Sequence, residues 1–250
     1  MAIRTRTGAG MSADRLRFSA NTHVGHVRKL NEDSILALPD QNIWVVSDGM
    51  GGHAAGDYAS QMVVDCVAML SPDLAPAAKM QGMRDAIHRA HAAIRSEAEA
   101  RGGVTIGATV VSLVISNGHF AALWAGDSRL YRKRGRQMQQ ITRDHNPIVD
   151  QLDSGVISEE EALATDTNVI TRAVGGQHDL HLDVAVFDVC PGDTMLLCSD
   201  GLYREVEAQD IFDALQQDVD EAVERLMHDC LQGAARDNVS IVVARAGDLQ

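Results

Sequence analysis

Acidic residues stand at the ends of short apolar segments, where their carboxylates could bind a divalent metal. Ser-Asp-Gly closes two of these segments, at Asp48 in VVSDG and at Asp200 in LLCSDG. The other acids in this position are Glu32 and Asp33 in NED, Asp127 in LWAGDS and Asp237 in ARDNVSIVV. If the segment ends converge, the acids form an all-oxygen pocket of the kind that Mg²⁺ and Mn²⁺ prefer. Such a pocket would repel itself unless cations filled it.

Each acid has a simpler explanation when it is taken alone. A single Asp at a strand end is more often a turn or cap residue than a ligand, and that explanation is favoured for Asp127 and Asp237 in isolation. Glu32 and Asp33 alone would be a solvated face. The repeated apolar-Ser-Asp-Gly sequence is the feature that favours a metal site.

The glycines after Asp48 also allow a nucleotide-binding hypothesis. Gly49, Gly51 and Ala54 fit the spacing of a dinucleotide-binding loop, which is a weak indication by itself. That fold needs parallel strands with crossover helices. Asn117-Gly118 between two apolar runs predicts a tight antiparallel hairpin instead, and the charge of Asp48 would repel a pyrophosphate.

Strands and helices are predicted in separate blocks. Helical spacing of apolar residues predicts helices over 55–70, 77–101 and 219–234. Short apolar runs bounded by turn residues predict strands in the intervening segments. This arrangement is typical of an α+β fold with antiparallel sheets.

The polar stretch 143–176 is predicted to be a flap subdomain outside the main sheets, and we call it the flap segment. Within it, Ser158 and Glu161 form a capping-box pattern that predicts a short helix. His88 and His91 lie three apart on the second predicted helix and are expected at its surface. His145 is assigned a structural role.

The length of 250 residues fits one large domain. This domain is predicted over 15–250, after a disordered tail at 1–14, with Met11 as a second candidate start.

The composition restricts the possible partners and the location of the protein. A formal charge of −13 argues against nucleic acid as a partner. No apolar run could span a membrane and no secretory signal is visible, so a cytoplasmic location is expected. Four cysteines without CxxC spacing are predicted to be buried free thiols.

Six short motifs occur in an order that resembles a known family. They are RxxNED from Arg28, SDGMGGH, GATVV, AGDSR, SDGL and RDNVSIVV, which ends at Val243. This series resembles the bacterial branch of the PPM/PP2C family of metal-dependent protein serine/threonine phosphatases. The resemblance implies a four-layer αββα sandwich, in which two antiparallel β-sheets pack face to face with helices on both outer faces.

The resemblance also implies a role for each acid. Asp48 would bridge two Mn²⁺ or Mg²⁺ ions, and Asp200 and Asp237 would complete the first metal site. Glu32 and the carbonyl of Gly49 would belong to the second site. Asp33 would orient metal-bound water, and Asp127 would match the ligand of a third, weaker ion. A hydroxide that bridges the two metals would then attack phosphorus directly, without a phosphoenzyme.

Two further residues are candidates for catalysis. Arg28 would clamp the phosphate. His53 is a candidate general acid for the leaving oxygen. However, eukaryotic members have histidine directly after Asp-Gly, where this chain has Met50. His53 could equally contact substrate or lie at the helix start.

The resulting expectation is a monomeric phosphatase that acts on phosphorylated proteins and opposes a bacterial serine/threonine kinase. The flap segment is expected to tune substrate choice. The alternatives are a catalytically silent phosphatase-fold sensor or scaffold, and the nucleotide-binding oxidoreductase suggested by the glycines. The phosphatase domain is expected to make up nearly the whole chain.

Overall fold

The computed structural model describes residues 3–5, 16–51, 55–116, 119–165, 167–176 and 178–247. In these ranges the strands are β1 (Ile3–Thr5), β2 (Arg17–His23), β3 (Asp33–Leu38), β4 (Ile43–Gly51), β5 (Ile106–Ala108), β6 (Val110–Ser116), β7 (His119–Ala125), β8 (Arg129–Arg134), β9 (Gln137–Gln140), β10 (Asp183–Asp188), β11 (Thr194–Cys198) and β12 (Val239–Arg245). The α-helices are α1 (Gly56–Ala68), α2 (Pro76–Ala100), α3 (Pro147–Asp153), α4 (Glu159–Leu163), α5 (Asp200–Tyr203), α6 (Ala208–Ala214) and α7 (Val219–Gln232).

The described strands form two sheets. The first has the order β1-β3-β4-β6-β7-β10, with β5 added beside β4, and the second has the order β2-β12-β11-β8-β9. The pairs are antiparallel except for β1 with β3. Because both neighbours of β4 are antiparallel to it, the parallel sheet of a dinucleotide-binding fold is absent there.

The buried apolar residues form three layers, because successive side chains of a strand point to opposite faces of its sheet. In β3 and β4, Ile35 and Trp44 face the interior between the two sheets, whereas Leu36 and Val45 face α1 and α2. A third cluster lies outside the second sheet, where α7 packs through Leu226 and its helical neighbours. The predicted sandwich with helices on both outer faces is thereby confirmed.

Most predicted elements are confirmed, and four details differ. Cys190 is only partly buried, whereas Cys66, Cys198 and Cys230 are buried free thiols as predicted. The strand ending at Asp48 was expected to give way to a glycine turn, but β4 continues to Gly51 because β5 pairs with it. Residues 3–5 lie in the predicted disordered tail, yet they form β1 along the edge of β3. His91 is buried and not at the surface, because the chain near Gly175 and His178 covers it and hydrogen bonds to its ring.

Two further predictions, a capping box within the flap segment and the lack of a membrane-spanning segment, can be compared with the structure. The capping box is confirmed, since Ser158 Oγ accepts a hydrogen bond from the Glu161 backbone and the Glu161 carboxylate accepts one from the Ser158 backbone. In the described ranges, no helix has the length and apolar character needed to cross a membrane.

Candidate metal and phosphate site

The predicted site residues meet in one pocket of about 220 Å³, which we call the site pocket. Seven of them line it: Arg28, Glu32, Asp48, Gly49, Asp127, Asp200 and Asp237. Asp33 is buried behind the pocket, directly opposite Asp48 in the register of β3 and β4. His53 lies outside the described residues. Asn168 and Ile170 of the flap segment also line the pocket.

Backbone pairing fixes the first Ser-Asp-Gly copy. The Asp48 amide donates to Thr109 Oγ1 at 3.0 Å, and the Thr109 amide donates to the Asp48 carbonyl at 2.8 Å. Ser47 donates its hydroxyl to the Thr109 carbonyl at 2.6 Å. These bonds hold the Asp48 carboxyl group at the end of the buried part of β4, because the backbone on both sides of it is immobilised.

Gly49 and Gly56 lack side chains at the place where two oxygen ligands come close together. A Cβ atom on Gly56 would lie 2.5 Å from Glu32 Oε1 and 2.8 Å from the carbonyl oxygen of Gly49. These two oxygens therefore converge on the same small space at the start of α1. Gly49 itself has no room for a side chain, since its Cβ would lie 2.0 Å from the Gly56 carbonyl oxygen.

The second Ser-Asp-Gly copy brings Asp200 beside the chain that carries Asp237. Gly201 packs against the backbone of Asn238, where a Cβ would lie 2.1 Å from the carbonyl oxygen. Ser199 donates its hydroxyl to Asp33 Oδ2 at 2.7 Å and accepts a hydrogen bond from the Ser240 amide. The two copies are thus connected through Asp33.

Asn238 holds the loop of Arg28 and Glu32 in place, and sequence reasoning assigned it no role. Its Nδ2 donates to the carbonyls of Val24 and Leu30 at 2.9 and 3.0 Å. Its Oδ1 accepts from the Glu32 amide at 2.8 Å. The only indication in the sequence was its place after Asp237 in RDN.

The clustering of acids raises the pKa values of several carboxyl groups. Burial, followed by repulsion from Asp33, Asp200 and Asp127, raises the pKa of Asp48 well above its usual range. Burial raises the pKa of Asp33 to about 7, although hydrogen bonds from serines oppose the shift. Burial and the charge of Asp200 raise the pKa of Asp127 to about 7. Cations between these groups would relieve the repulsion.

Two arginines already pair with acids of the site. Arg28 Nη2 lies 2.7 Å from Asp237 Oδ2, at a half-exposed position. Arg204 Nε lies 2.8 Å from Asp200 Oδ2 and is mostly buried. Arg204 was not predicted, although its spacing of four residues from Asp200 is visible in the sequence.

The donor set fits a divalent cation that keeps part of its water shell. Among the described residues, Asp33 Oδ1 and Asp200 Oδ1 are buried oxygens without a hydrogen-bond partner. The charge of Asp200 also raises the pKa of Asp48, after burial and Asp33, and a cation near both groups would relieve this repulsion. As the side chains stand, no group of three or more described His, Cys, Asp or Glu residues could hold an ion. Such a ligand group would be completed by water in the metal's shell, by the Gly49 carbonyl and by release of Asp237 from Arg28.

A family model and several known proteins match this chain. The family model for protein phosphatase 2C matches residues 22–238. The serine/threonine protein phosphatase PstP of Mycobacterium tuberculosis is 36% identical over 237 residues, which cover 93% of this chain. The matched region spans 45% of that relative, so this chain corresponds to about half of it.

Solved structures share both the fold and much of the sequence. PppA, described as a key regulatory component of T6SS in Pseudomonas aeruginosa, is 39% identical with a TM-score of 0.85, covering 93% of this chain and 98% of that one. The catalytic domain of PstP in complex with two manganese ions is 34% identical with a TM-score of 0.84, covering 94% and 100% of the two chains. The chain therefore belongs to the protein phosphatase 2C family, also called PPM, of protein serine/threonine phosphatases.

Proposed function

We propose that this protein is a metal-dependent phosphatase that hydrolyses phosphoserine and phosphothreonine in proteins. The observation that carries the proposal is the convergence of Glu32, Asp48, Asp200 and Asp237 with Arg28 in one pocket. Four carboxylates and one arginine suit a site that binds cations together with a phosphate.

Two Mn²⁺ or Mg²⁺ ions are the proposed cofactors. Asp48 would contact both, Asp200 and Asp237 would serve the first, and Glu32 with the Gly49 carbonyl would serve the second. When bound, such ions would activate water and stabilise negative charge on the phosphoryl oxygens. The PstP catalytic domain, which is similar in fold and sequence, was solved with two manganese ions.

Arg28 is the proposed phosphate ligand. Its side chain is 50% exposed, and its partner Asp237 belongs to the metal set. A phosphate dianion could therefore take the place of Asp237 on the guanidinium while Asp237 turns to the metal. A planar guanidinium can bind two phosphate oxygens at once.

Asp33 is the proposed residue that orients water. Its Oδ2 accepts a hydrogen bond from Ser199, whereas its Oδ1 is buried and has no partner among the described residues. A carboxyl group with one fixed oxygen and one available oxygen can accept a hydrogen bond from water beside Asp48. This role supports direct attack of water on phosphorus.

The cysteines offer no competing nucleophile. A cysteine nucleophile needs a lowered thiol pKa. Burial instead raises the pKa of Cys198 and of Cys230 to about 12, and it also raises that of Cys66. Cys190 does not line the site pocket. A covalent cysteinyl-phosphate route is therefore disfavoured.

We propose that the enzyme is a monomer and that its substrates are phosphoproteins. Its proposed partners are a serine/threonine kinase or the targets of that kinase. The flap segment is proposed to influence substrate choice, since Asn168 and Ile170 line the site pocket. The catalytically silent scaffold is the second candidate, but retention of the full acidic set favours turnover.

The test is hydrolysis of p-nitrophenyl phosphate by the wild type and by Asp200→Asn, with Mn²⁺ and with EDTA. Asp210→Asn is the matched control, because Asp210 is an exposed aspartate near the start of α6. We expect activity that requires Mn²⁺ and falls by about 10²-fold or more in Asp200→Asn, with Asp210→Asn unchanged.

Metal binding without turnover in the wild type would establish the scaffold instead. Turnover that persists in EDTA, or in Asp200→Asn at the wild-type rate, would overturn the proposed metal site.

A further inference from the structure

Arg204 occupies a junction between the metal site and the flap segment. It follows α5 directly, and its Nε lies 2.8 Å from Asp200 Oδ2. Its Nη2 donates to the Thr167 carbonyl at 2.6 Å. One guanidinium therefore contacts a proposed metal ligand on one side and the flap backbone on the other.

A second cavity lies on the Arg204 side of the site. It measures about 370 Å³, and Arg204, Tyr203 and Thr167 line it. Asp127 lines both this cavity and the site pocket. Asp127 thus stands between the two cavities, and Asp200 lines the site pocket while it pairs with Arg204 of the second cavity.

Other charges near this junction are already committed. Arg129 binds both oxygens of Asp144 at 2.7 to 3.1 Å and lies over the Tyr203 ring at 3.5 Å. Asp127 has a raised pKa because of burial and of the charges on Asp200 and Asp144, and the positive charge of Arg204 acts against this shift. Arg204 is therefore the cation that balances the pair Asp127 and Asp200.

The resemblance implies that Asp127 would be a ligand of a third, weaker ion. We propose that Arg204 is a positioning residue whose fixed positive charge takes the place of that third divalent ion, so that the wild type binds two ions. This inference rests on the proposed metal-dependent function.

The physical reason is competition for the same oxygens. Asp200 Oδ2 is engaged by the guanidinium, so a third ion would have to displace Arg204 or bind Asp127 with little help from Asp200. A divalent ion next to a guanidinium is also repelled, and in a half-buried site that repulsion is weakly screened. The Thr167 contact keeps Arg204 in place, because moving it would also release the flap backbone.

The experiment counts Mn²⁺ ions per chain by equilibrium dialysis with elemental analysis at saturating Mn²⁺, without any substrate. The variants are Arg204→Met, which keeps the length and removes the charge, and Arg204→Lys, which keeps the charge. Arg225→Met is the matched control, since Arg225 pairs with Asp229 at the same i,i+4 spacing on α7. Asp127→Asn is then added to Arg204→Met.

We expect two ions in the wild type, in Arg204→Lys and in Arg225→Met, and three in Arg204→Met. The double variant should return to two, because the third ion needs Asp127. If Arg204→Met fails to fold, Arg204→Gln replaces it.

Three ions in the wild type, or two in Arg204→Met, would overturn the inference while leaving the proposed function intact. No metal in the wild type would overturn the proposed function and the inference together. A third ion in Arg225→Met would show that any lost arginine has this effect.

Discussion

The two Ser-Asp-Gly copies have the same sequence but different local structures, a strand in the first and the start of a helix in the second. Ser47, Asp48 and Gly49 lie inside β4, which continues to Gly51. In the second copy the strand ends at Cys198, Ser199 is the residue before a helix, and Asp200 and Gly201 open α5. Both copies still deliver their carboxylate to the site pocket.

The copies also differ in how their charge is balanced. Burial raises the pKa of Asp48, and repulsion from Asp33, Asp200 and Asp127 adds to this shift. Asp200 has Arg204 beside it, which opposes the same shift. The comparison teaches that the tripeptide specifies a carboxylate and a close backbone contact, whereas the surrounding fold decides conformation and counter-charge.

The largest effect is expected from replacing the two glycines. A Cβ in Gly49→Ala would lie 2.0 Å from the Gly56 carbonyl oxygen, and in Gly201→Ala 2.1 Å from that of Asn238. Backbone atoms cannot move aside as side-chain ends do, so each variant should lose about 3 kcal/mol of stability or more. Gly49→Ala should lose more, because its Cβ would also approach the Glu32 carbonyl at 2.7 Å.

Urea unfolding of both variants measures these losses. Gly247→Ala is the control, since its Cβ would meet no atom within 4 Å, and its stability should stay within about 0.5 kcal/mol of the wild type. If all three variants unfolded at the same urea concentration, the close contacts would not be the reason for glycine at these positions.

Much of the site could be predicted because residue type carries the chemistry. Asp48 and Asp200 were found from the repeated tripeptide, although their local structures differ. The long helices were also predicted, since their period is local to the sequence. His91 was wrongly predicted at the surface, because its burial depends on Gly175, which lies 84 residues away.

The partners of the acids were harder to predict for the same reason. Asn238 acts through Val24 and Leu30, more than 200 residues distant. Arg204 is close to Asp200 in sequence, but the pair exists only because α5 is helical. Contacts between distant segments leave no period or motif in a single sequence.

A smaller effect is expected from the serines of the two copies. Ser199→Ala removes a hydrogen bond to the buried Asp33 carboxylate and leaves the Ser240 amide without its acceptor. Ser47→Ala removes a bond to the neutral Thr109 carbonyl. Bonds to charged groups contribute more, so we expect losses of about 2–3 kcal/mol for Ser199→Ala and about 1 kcal/mol for Ser47→Ala.

Urea unfolding at pH 7.5 in EDTA compares the two serine variants without a contribution from metal. Equal losses would mean that the second copy has no special connection to Asp33. A larger loss for Ser47→Ala would reverse the comparison.

The smallest effect is the pH dependence of the metal-free protein. The pKa values of Asp33 and Asp127 are raised to about 7 in the folded state, from an ordinary value of 3.8. Between these values the folded protein holds protons that the unfolded chain has released, so stability falls as pH rises. Between pH 6.5 and 8, where the folded protein loses these protons, stability should fall by on the order of 1 kcal/mol for each of the two carboxyl groups.

The range from pH 6.5 to 8 measures these carboxyl groups against a small opposing contribution from two histidines. His91 and His145 have pKa values lowered by burial, so their effect has the opposite sign and fades as the pH rises above their ordinary pKa of 6.5. Asp200→Asn should flatten this slope more than Asp48→Asn, because the charge of Asp200 raises the pKa of both Asp33 and Asp127. Urea unfolding in EDTA measures the slopes of the wild type and of both variants, and added Mn²⁺ should restore stability at pH 8. Equal flattening by the two variants would show that Asp200 is not the main source of these raised pKa values.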